Sequence, residues 1–350
     1  MKDTRTPLTI LTGFLGAGKT TLLNAVLSDS DNGRVAVIVN EFGEAGLDNH
    51  LIEESTDDVV LMQSGCLCCS IRGDLSNTVE NLIRKNIRKE INFERIVIET
   101  TGIADPGPIM QTLLLDKVLA STTRLDGIVT VADAINGVAT LNTQFEAVSQ
   151  AALADLIILS KTDIASPQQI QDFKSRLEKI NPTSKIICSI KGNGIQKQIW
   201  GLNALKEKSS YKDVLSWTTG IEPKLSELDN LSGLAPAKTI SKPAFSHDSK
   251  IESCSIILDN PISNSTFDNW LDTLIEAKGS DILRIKGIVF LEKIDAPFVF
   301  HGVQHVFDPP VQLKKWPGKD RQSRIVVIAR NISKPQLQRS LDMLRIQSDN

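Results

Sequence analysis

The first half of the chain alternates short apolar runs with segments in which apolar residues recur at helical spacing. The runs are rich in Val, Ile and Leu and hardly alternate with polar residues, which is typical of strands buried on both faces of a parallel sheet. We predict strands at residues 8–12, 34–40, 58–62, 95–99, 127–131, 156–159 and 185–189, with helices between them, for instance at 74–89 and 167–180. This pattern predicts an α/β fold with a mostly parallel sheet covered by helices.

The pattern changes in the last third of the chain. Residues 206–250 are rich in Ser, Lys, Pro and Gly and contain few apolar runs, which indicates a linker or a surface excursion. Strands are predicted beyond it at 251–258, 282–291, 298–303 and 324–329, with helices at 265–277 and 334–346. We therefore predict a first domain at 1–205, a linker at 206–250 and a smaller α+β domain at 251–350.

The first strand leads into a complete phosphate-loop motif. The motif reads Gly13-Phe14-Leu15-Gly16-Ala17-Gly18-Lys19-Thr20 and is followed by Thr21 and an apolar-periodic helix. In this context, glycine-rich backbone amides bind the α- and β-phosphates, the lysine reaches the β- and γ-phosphates, and the hydroxyl of Thr20 binds Mg²⁺. The sequence therefore predicts a nucleotide site at 13–21, with a catalytic role for Lys19.

Two further motifs follow buried strands and extend this prediction. Glu99 ends one strand and precedes Thr100-Thr101-Gly102, so its carboxylate is expected to hold Mg²⁺ and the amide of Gly102 to meet the γ-phosphate. Asp163 follows another strand and is suited to accept the N1 and N2 protons of guanine, a donor pair that adenine lacks. Lys161 can lay its aliphatic stem along the base. Together these residues favour GTP over ATP, although an ordinary exposed turn is the alternative for Lys161 and Asp163.

Composition and charge narrow the class of protein. The chain has 350 residues, a formal net charge of −3 and no apolar run near the roughly 18 to 20 residues that span a bilayer. These values argue against electrostatic binding to nucleic acid or to an anionic membrane. The polar start, with no secretory or transit pattern, predicts a cytoplasmic location.

Cysteine is concentrated in one short segment. Three of the five cysteines lie in Cys66-Leu67-Cys68-Cys69, which does not resemble a disulfide framework in a chain of this size. A loop can bring three thiolates together, and sulfur ligands suit Zn²⁺ or another thiophilic ion with a fourth position left open. A redox pair or sensor is the alternative. We expect Cys188 and Cys254, in apolar strands, to be core residues.

Taken together, these motifs resemble the CobW-type family of metal-handling P-loop GTPases, relatives of the GTPases that help load nickel into urease and hydrogenase. The resemblance is carried by residues 13–21, by Asn40-Glu41-Phe42-Gly43-Glu44, by the cysteine segment at 66–69, by residues 99–102 and by Ser160-Lys161-Thr162-Asp163. It extends less specifically to 284–287 and 302–305 in the second domain.

The resemblance implies a GTPase whose cysteine loop binds Zn²⁺ or Co²⁺ and whose nucleotide state governs metal delivery to a client protein. Thiolate chemistry favours zinc, and the resemblance adds cobalt as the second choice. Glu41 is expected to orient water or to contribute to an ion site, and an exposed carboxylate without such a role is the alternative. Since the phosphate loop contains no arginine, we expect slow hydrolysis by the isolated protein. A small-molecule kinase and a redox or metal sensor remain alternatives, and a homodimer is left open.

The chain also departs from the family pattern at two points. Ser160 stands where the commoner guanine motif has Asn. One contact that supports the loop at 160–163, called the base loop because it is expected to contact guanine, is therefore changed. A histidine-rich stretch is absent, because the chain contains only His50, His247, His301 and His305. The last two lie in a strand-like segment and are not expected to bind metal together.

Overall fold

The computed structural model describes residues 3–29, 33–39, 59–63, 67–202, 251–307, 310–313, 316 and 321–345, with the backbone alone for 59–63 and 67–74. The motif at 40–44, with Glu41, the residue Cys66 and the predicted linker at 206–250 lie outside the described residues. None of the helices in the described ranges is both long and apolar enough to cross a membrane.

A parallel sheet forms the first part of the structure. Its described strands lie in the order β3-β2-β4-β1-β5-β6-β7, and every neighbouring pair is parallel. Their bounds are β1 Thr6–Thr12, β2 Val35–Val39, β3 Val59–Gln63, β4 Arg95–Glu99, β5 Thr123–Asp133, β6 Leu156–Ser160 and β7 Lys185–Cys188. The predicted α/β fold is confirmed.

Helices cover both faces of this sheet. They are α1 Lys19–Leu27, α2 Leu67–Ile87, α3 Gly107–Leu115, α4 Lys117–Thr122, α5 Gly137–Thr143, α6 Phe145–Leu153 and α7 Pro167–Ile180. On one face, Ile10 packs with Leu75 of α2 and Met110 of α3, and all three are completely buried. On the other face, Leu11 packs with Leu22 of α1. Burial on both faces explains why the strands read as continuous apolar runs.

Two expectations about this part of the chain are wrong. Helix α2 begins at Leu67 and not at residue 74, so the backbone of Cys68 and Cys69 is helical and not in a loop. Gly73 weakened the helical pattern in the sequence, but packing of the buried residues further along α2, such as Leu75 and Val79, overrides that local preference. Cys188 is exposed and not a core residue, because β7 is the outermost of the described strands on its side of the sheet. Cys254 is buried as expected.

The second part is an antiparallel sheet with helices on one face, which confirms the α+β prediction. The described strands are β8 Ile251–Leu258, β9 Ile282–Val289, β10 Phe298–Val303, β11 Val306–Phe307, β12 Val311–Gln312 and β13 Ser323–Arg330. Their order is β11-β10-β9-β13-β8, with β12 paired to β10. Helices α8 Asn264–Lys278 and α9 Lys334–Asp342 bury Trp270 and Leu337 against this sheet.

The opposite face of the antiparallel sheet packs on the first part of the structure. Leu283 of β9 and Val326 of β13 share one apolar cluster with Val148 of α6 and Phe173 of α7. The two sheets are therefore joined through α6 and α7, and a buried strand of the second sheet reaches the helices that cover the first.

Candidate functional site

The phosphate loop connects β1 to α1 in a conformation that depends on its glycines. Gly13, Gly16 and Gly18 have φ angles of 144°, 69° and 97°, which L side chains rarely adopt. Gly18 directly precedes α1, and no side chain in the described structure caps that helix. A helix N-terminus reached through a glycine-rich turn is a ready binding site for phosphate oxygens.

Lys19 spans this loop from the first residue of α1. Its ammonium donates to the carbonyl oxygens of Gly13 at 3.0 Å and Phe14 at 3.4 Å. Ala17, within the loop, is buried, whereas Thr21 is exposed on the first turn of the helix. The ammonium therefore lies at the loop that would bind the phosphates, and it can exchange backbone oxygens for phosphate oxygens.

The hydroxyl of Thr20 contacts the carboxylate of Glu99. Thr20 Oγ1 donates to Glu99 Oε1 at 2.9 Å, although the residues are 79 positions apart in the chain. Glu99 ends β4 and is 5% exposed. A hydroxyl and a buried carboxylate side by side supply the hard oxygen donors that Mg²⁺ prefers, so these residues fit the ion.

The segment after Glu99 lies against the phosphate loop. The Thr100 amide donates to Leu11 O at 2.9 Å, and its hydroxyl donates to Thr12 Oγ1 at 2.8 Å. A Cβ at Gly102 would lie 2.6 Å from the backbone nitrogen of Leu15, so a side chain there would force the two segments apart. The absence of a side chain at Gly102 thus permits the close approach that a γ-phosphate contact requires.

The base loop is tied to the phosphate loop through Ser160. Its hydroxyl donates to Ala17 O at 2.6 Å and is also within 3.3 Å of Ala132 O. Serine therefore supplies a direct link between the two loops at the position where the sequence suggested a changed contact. Asp163, three residues further along the chain, is exposed and accessible to a base.

Lys161 has a partner that the sequence analysis missed. Its ammonium donates to Asp133 Oδ2 at 2.7 Å, at the end of β5. Burial alone would raise the pKa of Asp133, but hydrogen bonds from Lys161, Asn136 and nearby backbone amides lower it below its usual value. Asp133 could have been predicted from the sequence as a residue of the site. It ends the buried strand β5, next to β6, just as Glu99 ends β4.

The loop after β7 was also missed. The Ser189 amide donates to Leu159 O at 2.9 Å, which places the start of this loop beside the end of β6. The Ser189 hydroxyl closes the loop by donating to Asn193 O at 3.2 Å. The sequence signal for this loop is Gly192-Asn193-Gly194 shortly after a strand. Because the strands of this sheet are parallel, the loop after β7 lies at the same edge as the phosphate loop.

Most of the predicted thiolate site lies outside the described residues. Cys66 is outside the described residues, and the side chains of Cys68 and Cys69 are outside them too, although their backbone lies in the first turn of α2. Among the described side chains, no three or more His, Cys, Asp or Glu residues form a group that could hold a metal ion. His301 is buried in β10, and His305 is exposed in the turn that follows.

Comparison with protein families matches both parts of the chain. The CobW/HypB/UreG nucleotide-binding domain matches residues 7–188, and the cobalamin synthesis protein CobW C-terminal domain matches residues 251–345. The chain belongs to the CobW/HypB/UreG family. The resemblance inferred from the motifs is therefore confirmed.

Individual relatives of this CobW/HypB/UreG protein are similar along most of their length. The zinc chaperone YjiA of Escherichia coli (strain K12) is 29% identical over 344 residues, covering 97% of this chain and 98% of the relative. The zinc-regulated GTPase metalloprotein activator 1 of Schizosaccharomyces pombe is 33% identical, covering 93% and 82%. The crystal structure of Zn(II)-bound YjiA GTPase from E. coli superimposes with a TM-score of 0.72 at 25% identity, covering 98% of this chain and 99% of that one.

Proposed function

We propose that this protein is a GTP-binding and GTP-hydrolysing metallochaperone that binds Zn²⁺ and delivers it to a client protein that requires the metal. The observation that carries the proposal is the contact between Thr20 and Glu99 at 2.9 Å, because it joins the phosphate loop to an acidic strand end as Mg²⁺-dependent nucleotide hydrolysis requires. The relatives named as a zinc chaperone and a zinc-regulated GTPase support the same function.

The nucleotide chemistry is proposed to use residues of three segments, which follow β1, β4 and β6. Lys19 and the amides of the phosphate loop would bind the phosphates, and the amide of Gly102 would contact the γ-phosphate. Thr20 and Glu99 would hold Mg²⁺, which when bound neutralises charge on the β- and γ-phosphates. Asp163 would accept the guanine protons and Ser160 would keep the base loop in register with the phosphates.

Zinc is the proposed substrate of the cysteine segment at 66–69. This segment follows β3, whose carboxyl end lies at the same edge of the parallel sheet as the phosphate loop. Residues 67–69 form the first turn of α2, a helix of 21 residues, and the positive end of a helix favours the thiolate forms that bind Zn²⁺. Co²⁺ is the second candidate.

Coupling between the two sites is proposed to make delivery depend on the nucleotide. Bound GTP would order the segment at 40–44 and the cysteine segment, and hydrolysis would release that order, with Glu41 orienting water or joining the ion site. The phosphate loop has no arginine, so intrinsic hydrolysis is expected at about 10⁻⁴ to 10⁻² s⁻¹. The domain limits at 205 and 250, the cytoplasmic location and a homodimer stay predictions.

The experiment that tests this function follows phosphate release and zinc release in one reaction. Zinc-loaded protein is mixed with GTP, Mg²⁺ and a chromogenic chelator, with ATP and the Lys19→Ala variant as controls. We expect zinc to reach the chelator faster during GTP hydrolysis than with a non-hydrolysable analogue. Hydrolysis without any change in the rate of zinc release would contradict delivery, and equal hydrolysis of ATP would contradict the role of Asp163.

A further inference from the structure

One buried side chain outside the motifs holds the segment that follows Glu99. Gln150 of α6 is 1% exposed, and its amide nitrogen donates to Gly102 O at 3.1 Å and to Ala104 O at 3.0 Å. Carbonyl oxygens can only accept hydrogen bonds, so these two partners also establish which end of the side-chain amide faces the segment. Gln150 therefore binds the backbone on both sides of Ile103.

Helix α6, which carries Gln150, accepts hydrogen bonds from side chains of several other elements. Thr130 of β5 donates through its hydroxyl to Gln150 O at 2.8 Å. Asn181 donates through its side-chain amide to three carbonyl oxygens at the end of α6, at 2.9 to 3.0 Å. Arg284 of the antiparallel sheet donates to Leu153 O. The Thr130 contact therefore holds Gln150 itself, whereas Asn181 and Arg284 stabilise the C-terminal end of α6 beyond Gln150.

Two buried polar atoms at this segment have no hydrogen-bond partner in the described structure. They are the side-chain carbonyl oxygen of Gln150 and the hydroxyl of Thr101, which is 8% exposed. Buried polar atoms are almost always paired, and the exceptions call for an explanation such as a functional role or a bound water or ion. This acceptor and this donor therefore mark the segment after Glu99 as one where polar groups are available beside the predicted γ-phosphate contact.

We propose that Gln150 is a positioning residue for GTP, fixing the backbone at 102–104 so that the amide of Gly102 faces the γ-phosphate. The proposal rests on the GTPase function proposed above. Gln150 acts through the backbone of Gly102 and does not contact the nucleotide. Because GDP lacks a γ-phosphate, the loss of Gln150 should weaken steps that involve GTP and leave GDP binding unaffected.

The variant Gln150→Met tests this directly, because methionine has a similar length but donates no hydrogen bond. We expect single-turnover GTP hydrolysis and affinity for a non-hydrolysable GTP analogue each to fall about tenfold. Affinity for GDP should stay within about twofold, since no contact to GDP is lost. The variant Gln150→Asn keeps the amide but is one methylene shorter, so it should fall between wild type and Gln150→Met.

Asn181→Leu is the matched control. It also removes a buried side-chain amide that donates to main-chain carbonyls, but its partners are Ala151, Ala152 and Ala154 and not the segment at 102–104. We expect it to lower the thermal midpoint while nucleotide affinities and hydrolysis change less than about twofold. This control separates loss of stability from loss of positioning.

The outcomes that overturn the proposal are distinct from failure of the GTPase function. If the wild-type protein binds and hydrolyses GTP but Gln150→Met does so equally well, Gln150 has no positioning role. The same conclusion follows if Gln150→Met loses GDP and GTP-analogue affinity equally, or if Asn181→Leu reproduces its effect. If the wild-type protein does not hydrolyse GTP, the proposed GTPase function is wrong. The role of Gln150 can still be judged in that case from binding alone, because a Gln150→Met variant with the wild-type affinity for the GTP analogue would overturn it.

Discussion

A buried ion cluster joins the two sheets and leads to a sharp prediction about stability. The carboxylate of Asp155, just before β6, accepts from Lys286 Nζ at 2.8 Å and from Arg284, both on β9. Its other oxygen accepts from the amide of Ile128 at 3.0 Å. Burial alone would raise the pKa of Asp155, but the cations of Arg284 and Lys286 outweigh it and hold the pKa far below its usual value.

The variant Asp155→Asn keeps the size of the side chain and removes its charge. Lys286 and Arg284 are 1% and 2% exposed, so both cations would stay buried and would lose the carboxylate that pairs with them. Asparagine has one oxygen, so its NH₂ group must face either the cations or the Ile128 amide, and both are donors. Breaking a buried ion pair in this way costs about 3–5 kcal/mol, which is a large fraction of a typical stability of about 5–15 kcal/mol.

Urea unfolding near neutral pH, followed by tryptophan fluorescence, measures this loss. Asp163→Asn is the control, because it makes the same chemical change at an exposed carboxylate and should leave the unfolding free energy within about 0.5 kcal/mol. The triple variant Asp155→Leu, Arg284→Met, Lys286→Met should recover part of the loss, since the three charges of the cluster are removed together while the Ile128 amide loses its acceptor. A free energy for Asp155→Asn within about 1 kcal/mol of wild type would refute this reasoning.

The contribution of Asp155 to stability also depends on pH, because its pKa is lower in the folded protein than in the unfolded chain. The stabilisation is therefore present above about pH 4 and is lost as the pH falls further. Urea midpoints below about pH 4 should therefore drop more steeply for wild type than for Asp155→Asn, and equal slopes would contradict the ion pairing. Glu99→Gln should slow Mg²⁺-dependent phosphate release at least about 100-fold while GDP affinity changes little, and a wild-type rate would exclude Glu99 from the ion site. In competition binding, Asp163→Asn should weaken GTP by about 10- to 100-fold but improve xanthosine triphosphate, whose 2-oxo group matches an amide donor; an unchanged preference would place the base elsewhere.

Local patterns were sufficient for strands of both sheets and for much of the candidate nucleotide site. The predicted strand at 95–99 in the parallel sheet and those at 251–258 and 298–303 in the antiparallel sheet match the observed strands residue for residue, because their apolar and β-branched runs end at polar or turn residues. The contact between Thr20 and Glu99 could be anticipated, since parallel strands bring their carboxyl ends to one edge.

Features that depend on distant parts of the chain could not be predicted in this way. The exposure of Cys188 follows from the outermost position of β7 among the described strands, which the apolar sequence of that strand does not reveal. The pairing of Asp155 with Lys286 joins residues 131 positions apart, and although Lys286 lies in the segment 284–287 that contributes to the family resemblance, nothing in the sequence identifies its partner. Gln150 lies on a helix with no motif, and its significance comes only from the two carbonyls it reaches.

The central claim, that nucleotide state and metal binding are coupled, is tested most directly by titrating the reduced protein with Zn²⁺. The titration is made without nucleotide, with GDP and with a non-hydrolysable GTP analogue, and it is repeated with Co²⁺ and with a variant carrying serine at Cys66, Cys68 and Cys69. The account predicts tighter zinc binding with the GTP analogue than with GDP, and loss of that difference in the serine variant. Equal zinc affinity in every nucleotide state would contradict the account, because a ligand with no differential affinity shifts no equilibrium.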